Sequence, residues 1–218
     1  MTKTRQRLTF EEYLRYDDGT DKQYEFVGGE LIEMPPESPV NSKIALFLLA
    51  SLLEVLDEER LCHKDTEIVV SGSQVQTRLP DLIVLSEELA LALADSNRGT
   101  ITLEMPPPEL IIEVVSPGKT NEERDYRFKR SEYAARGVPE YWVINPYESK
   151  ITVFTLVAGF YEEENYTEIM TIKSRIEALQ LTAEQVLKRK KSRIKFLNSP
   201  KKNSGVRSQN SSIEWACS

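Results

Sequence analysis

The sequence predicts an α/β fold, on three observations. Two short apolar runs, Arg78-Leu79-Pro80-Asp81-Leu82-Ile83-Val84-Leu85 and Leu110-Ile111-Ile112-Glu113-Val114-Val115, have the length and β-branched content of strands. Stretches with helical spacing of apolar residues and with capping signals stand between the strand-like runs. Turn residues punctuate the boundaries, as at Gly28-Gly29 and Ser71-Gly72-Ser73.

In chain order, Thr9-Phe10-Glu11-Glu12-Tyr13-Leu14 reads as a short helix. Thr9 is its N-cap, and Glu12 three residues on completes a capping box. Tyr24 to Val27 and Glu30 to Met34 read as two strands around Gly28-Gly29, ended by Pro35-Pro36. Ser38-Pro39 opens a long helix, with Ser as cap and Pro at the first helical position. Its Ile44, Phe47, Leu48, Leu52, Val55 and Leu56 form a wide apolar face, which predicts a well-buried helix.

Glu67 to Val70 and Val75 to Leu85 are expected as antiparallel strands, and Ser86 to Leu93 as a helix. Met105-Pro106-Pro107-Pro108 is a rigid connector to a buried central strand, Leu110 to Val115. Glu122 to Arg136 is expected as a helix stopped by Gly137. A hairpin, Tyr141 to Ile144 with Ile151 to Leu156, turns around Asn145-Pro146-Tyr147-Glu148-Ser149. A further strand is expected near Phe160, and Thr182 caps a last helix from Ala183 to about Lys191. Residues 1–191 are expected as one domain, and 192–218 as a basic, disordered tail.

With 40% hydrophobic and 29% charged residues the composition is that of a globular protein. No apolar stretch approaches the roughly 20 residues of a membrane span. Met1-Thr2-Lys3-Thr4-Arg5-Gln6-Arg7 has no apolar run behind it, so no secretory signal is expected. Only Cys62 and Cys217 are present, far apart, which argues against a disulfide and for a cytoplasmic location. The charge is asymmetric. From Lys188 to Ser218 nine Lys and Arg stand against one acid, Glu214, giving +8; with −7 overall, the remainder carries −15. So acidic a body is a poor non-specific binder of nucleic acid.

A carboxylate in the middle of an apolar run is costly to bury without a partner. Asp81 and Glu113 are two such carboxylates, and on neighbouring strands they would suit a hard divalent cation such as magnesium. The backbone carbonyl of Val114 is a candidate third ligand. The plainer reading makes each a strand-end or edge carboxylate facing water. Asp125, Lys129 and Tyr133 share one helix face at i, i+4, i+8. If that face turns to the strand ends, Lys129 is available to orient water or stabilise developing charge. The plainer reading is a surface Asp125–Lys129 pair worth only about 0.2–0.5 kcal/mol, and spacing alone favours it. Lys119, in Ser116-Pro117-Gly118-Lys119, is a second candidate cation.

Glu25, in Tyr24-Glu25-Phe26-Val27, is a candidate third acid, with an ordinary exposed strand residue as its plainer reading. His63 is the one histidine of the chain, so a histidine-based metal site has little support. Tyr141 and Trp142 are expected in the core rather than as base-stacking platforms. There is no Walker or dinucleotide fingerprint.

Several ordered motifs resemble the Uma-two family of restriction-endonuclease-like proteins. They are Tyr24-Glu25-Phe26-Val27-Gly28-Gly29-Glu30-Leu31, Pro80-Asp81-Leu82-Ile83-Val84, Ile112-Glu113-Val114-Val115-Ser116-Pro117, and the span from Asp125 through Lys129, Tyr133 and Gly137 to Trp142-Val143-Ile144-Asn145-Pro146. The resemblance covers about residues 8 to 187. It implies the PD-(D/E)xK nuclease fold, a mixed central sheet flanked by helices. It also implies a site of Glu25, Asp81, Glu113 and Lys129, with Asp81 and Glu113 on the metal. In the standard motif the Lys lies two residues after the Glu, a position held here by Val115; the resemblance moves the cation to the following helix and so selects Lys129 over Lys119. Family members commonly carry a His near the start of the long helix, where this chain has Asn41.

The expected function is therefore a magnesium-dependent endonuclease, with manganese as a substitute, acting on DNA (RNA remaining open). Cutting both strands would favour a homodimer. The alternative is a non-catalytic nucleic-acid-binding or regulatory module that keeps the nuclease fold, a reading favoured by the acidic body and by Asn41. A third option is an interaction protein working through its basic tail.

Overall fold

Thr9 opens the first helix, α1 (Phe10–Leu14). Its hydroxyl accepts from the Glu12 backbone N–H, and the Glu12 carboxylate accepts from the Thr9 N–H at 2.7 Å. The computed structural model describes residues 7–71, 75–94, 96, 98–118 and 124–190. Lys119, the turn at 72–73, the first residues of the expected 122–136 helix and the tail 192–218 lie outside these.

Two antiparallel strands follow, β1 (Tyr24–Val27) and β2 (Glu30–Glu33), joined at Gly28-Gly29 where both φ angles are positive. Helix α2 (Pro39–Leu52) starts on a Ser38 cap whose side chain accepts from Asn41 N–H. It buries Ile44, Phe47, Leu48 and Leu52. A 3-10 turn (Glu58–Arg60) leads to β3 (Leu61–Cys62). Then come β4 (Glu67–Ser71), β5 (Val75–Arg78), β6 (Leu82–Val84), α3 (Glu87–Ala94), β7 (Thr100–Ile101) and β8 (Leu110–Val114). A π-helical turn (Arg124–Lys129) runs into α4 (Arg130–Arg136), which stops at Gly137 with φ +83. Strands β9 (Glu140–Asn145), β10 (Lys150–Val157) and β11 (Phe160–Tyr166) and helix α5 (Ala183–Lys188) complete the fold.

The central sheet has six strands in the order β11-β10-β9-β8-β6-β3. It is mixed: β8 and β9 run parallel, and the remaining neighbours run antiparallel. A smaller sheet, β5-β4-β7, pairs β4 with β5 antiparallel and with β7 parallel.

Side chains alternate across the central sheet, as the two-residue period of a strand requires. Leu82 and Val84, Leu110, Ile112 and Val114, Trp142 and Ile144, and Ile151 and Val153 meet α2 and α5 on one face. Ile83 and Leu85, Ile111 and Val115, Tyr141 and Val143, and Phe154 meet α3, α4 and β4 on the other. Tyr141 and Trp142 are both core residues, as expected.

The sequence reading of one strand from Val75 to Leu85 is corrected. The chain leaves the small sheet at Arg78, bends through Leu79-Pro80-Asp81 and enters the central sheet at Leu82. Pro80 has no N–H for a ladder and restricts the residue before it, so it breaks the run. The expected helix over 122–136 begins, within the described residues, as a wider π turn. Strands β3 and β7, of two residues each, are too short to display a period in the sequence.

Candidate active site

Glu113 lies on the same face of β8 as Ile111 and Val115, the face against which α4 packs. The side chains that α4 and its entry turn bring to that face are Tyr133 and Lys129. Lys129 Nζ stands 2.7 Å from Glu113 Oε1, and the Tyr133 hydroxyl donates to the same oxygen at 3.0 Å. Lys129 is 1% exposed and Glu113 4% exposed, so this pair is a buried one and not a surface i, i+4 contact. The plainer reading of Lys129 is thereby overturned; the side chain of Asp125 lies outside the described residues. Burial and the Glu113 carboxylate push the Tyr133 phenol well above its ordinary pKa, which keeps it protonated as a donor.

Asp81 arrives from the other direction. Leu82 pairs with Ile112 in the antiparallel register of β6 and β8, so the residue before Leu82 comes beside Glu113-Val114. Asp81 Oδ2 accepts from Val114 N–H at 2.7 Å, and Oδ1 lies 3.2 Å from Lys64 Nζ. Lys64 also pairs with Glu37. Asp81, Glu113, Lys129, Lys64, Glu37 and Ser116 line a single open cavity of about 390 Å³. The two carboxylates singled out from the sequence and the helix lysine are thus brought together.

Glu25 is not exposed: it is 2% accessible, inside a network behind this cavity and not on its wall. Arg78 Nη1 donates to Glu25 Oε2 at 3.0 Å, and Leu79 N–H donates to Oε1 at 3.3 Å. Arg78 also forms a two-pronged pair with Glu132 of α4, both contacts at 2.7 Å. Burial works against the Arg78 charge, but the Glu132 and Glu25 carboxylates more than offset it and hold the guanidinium above its ordinary pKa. The network ties β1, the Leu79-Pro80-Asp81 bend and α4 into one frame. His63 sits in the loop after β3, half-buried, with Nε2 lacking a hydrogen-bond partner.

Asn41, at the position where the resemblance leads one to expect histidine, is fully buried on α2. Its Nδ2 donates to the carbonyls of Val114 and Val115 at 3.2 and 3.1 Å, and to Ser116 Oγ at 3.3 Å. It therefore fastens the end of β8. The Val114 carbonyl, a candidate third ligand, already accepts from Asn41.

Among the described residues, no three His, Cys, Asp or Glu side chains stand close enough to hold an ion by themselves. Magnesium asks for less, being bound through one or two carboxylates together with waters and substrate phosphates. Asp81 and Glu113 on one cavity wall fit that requirement, and Glu37 Oε1 on the same cavity is buried without a hydrogen-bond partner. Among the described residues no helix is long and apolar enough to cross a membrane.

Sequence signals for Glu37, Lys64, Arg78 and Glu132 were weak. Each lies in or beside a turn or on a helix surface, where charged residues are ordinary. Nothing local pairs Arg78 with Glu132, which are 54 residues apart.

The comparisons with known proteins agree with this architecture. The fold is similar to a crystal structure from Anabaena variabilis described as "a putative nuclease belonging to DUF820", with a TM-score of 0.63 and 18% identity over 83% of this chain and 98% of that one. At that identity the likeness speaks for the fold. No curated protein matches the sequence. The model of a family described as "Putative restriction endonuclease" matches residues 10–184, which includes every residue of the cavity and of the network behind it, and on that match the chain belongs to the Uma2 family.

Proposed function

We propose that this chain is a magnesium-dependent endonuclease that hydrolyses phosphodiester bonds in DNA. The observation that carries the reading is the convergence of Asp81, Glu113 and buried Lys129 on one open cavity in a nuclease-like fold. Asp81 and Glu113 would hold the cation, with manganese as a substitute. When bound, such an ion supplies an activated water and neutralises charge at the phosphorus.

The remaining work falls to the chain itself. Lys129 and Tyr133 hold Glu113 in one orientation, and the Lys129 ammonium would offset charge building on the phosphoryl oxygens. Val114 N–H fixes one oxygen of Asp81, and the other pairs with Lys64 on the same cavity. Glu25, held by Arg78 and Leu79, sets the bend that delivers Asp81 and so acts as a positioning residue. Cleavage of both strands calls for two copies, and a homodimer is the assembly that would supply them.

The test is cleavage of supercoiled plasmid with magnesium or manganese, comparing wild type with Asp81→Asn and Lys129→Met. Metal-dependent nicking, reduced at least about a hundredfold in both variants while their circular dichroism is unchanged, is the expected result. Equal cleavage by Asp81→Asn would overturn the site. An inactive but folded wild type on both DNA and RNA would favour a non-catalytic module, a reading that the −15 charge outside the basic C-terminal stretch supports.

A further inference from the structure

Lys64 stands out among the cavity residues. It lies in the loop between β3 and β4 with φ +61, in the left-handed region that a side chain such as lysine rarely occupies. The Gln23 side-chain amide holds it there, donating to the Lys64 carbonyl at 2.6 Å. From this fixed point the Lys64 side chain, 23% exposed, reaches Glu37 and Asp81 together.

The two oxygens of Asp81 are in different situations. Oδ2 is committed to the β8 backbone through Val114 N–H, and Oδ1 is held by Lys64. A cation approaching Asp81 from the cavity would meet Oδ1, and so the Lys64 ammonium. Like charges cannot share that oxygen cheaply. Lys64 has a second carboxylate, Glu37, to which it can withdraw without leaving the cavity.

We infer that Lys64 is a positioning residue that competes with a divalent cation for Asp81 Oδ1 and thereby sets how tightly the site binds it. With no cation present, Lys64 keeps the cavity carboxylates compensated and Asp81 oriented. When the cation is bound, Lys64 rests on Glu37 and adds a positive charge at the cavity rim, where a phosphate would lie. This inference rests on the proposed metal-dependent site.

The experiment is calorimetric titration of the full chain with manganese, without nucleic acid, for wild type, Lys64→Gln, Lys64→Asn, Lys64→Arg and Asp81→Asn. Asn is included because it tolerates the left-handed backbone, so one neutral variant is expected to fold. Lys64→Gln and Lys64→Asn should bind manganese about three- to fivefold more tightly, the upper range for releasing a partly screened ion pair, and Lys64→Arg should stay within about twofold of wild type. Tighter binding is an outcome that a merely structural lysine would not produce. Unchanged or weaker binding in both neutral variants, with wild type binding normally, would overturn the role of Lys64 and leave the metal site standing. Absence of binding in wild type and all Lys64 variants would overturn both.

Discussion

Lys129 and Glu113 show why residue identity and burial have to be read together. A buried charge that loses its partner is penalised far more than a surface one. Lys129→Met removes the ammonium 2.7 Å from Glu113 Oε1, and a loss of about 3–5 kcal/mol in urea unfolding is expected. The double variant Lys129→Met/Glu113→Gln should recover a large part of that loss, because it removes the stranded charge as well. If the double variant is as unstable as the single one, the pair is not the source of the cost. Asp81 and Glu113 were legible in the sequence because each is a carboxylate attached to an apolar run. Lys129 was legible only through the family resemblance, since its spacing to Asp125 equally describes a surface pair. Glu37 and Lys64 were not legible, because their meeting depends on two loops folding over one strand end.

Elements were legible wherever capping and turn chemistry is local. The Thr9 and Ser38 caps and the Gly28-Gly29 turn all appear as read, and so does the Gly137 stop. Gly137 matters because α4 carries Tyr133 and Glu132, and its end must turn sharply into β9. At φ +83 a Cβ finds space, the nearest atom being Pro107 Cγ at 3.9 Å, so the penalty of Gly137→Ala is conformational and not a clash. About 1–2 kcal/mol of stability should be lost, measured by thermal or urea unfolding, with the site otherwise intact. No measurable loss would mean that the helix end readjusts. The single strand expected over Val75–Leu85 is two, because Pro80 breaks the run and the pieces on either side join different sheets. Alternation of residue types cannot distinguish one strand from two that belong to different sheets, and the bend at Pro80 is what delivers Asp81 to β8.

At the scale of the whole molecule, several tyrosines are packed into the fold and their phenols are pushed up by burial. Tyr13 and Tyr166 rise to about 12, and Tyr126, Tyr133 and Tyr161 also rise. For Tyr13 the neighbouring Glu67 carboxylate adds to the effect. The unfolded chain releases these protons near pH 10, whereas the folded chain retains them. The unfolded state then binds fewer protons, so stability falls as pH rises. Stability should be insensitive to these groups up to about pH 9 and drop steeply between about 10 and 12. Thermal melts followed by circular dichroism across pH 8–11.5, with phenolate absorbance recorded in parallel, check this. Tyrosine ionisation that precedes unfolding would contradict it.

By itself, the sequence determined the α/β class, the caps and turns, the central position of β8 and, among the cavity residues, the carboxylates Asp81 and Glu113. These follow from local stereochemistry and from the cost of burying charge, both of which act within a few residues. Only the tertiary structure decided that Lys129 is buried against Glu113, that Glu25 belongs to an Arg78–Glu132 network behind the cavity, and that Asn41 fastens the end of β8. Those outcomes depend on which strands pair, in which register, and on which face a helix lands. Contacts between residues tens of positions apart are set by the packing of the whole chain and leave no periodic trace along it.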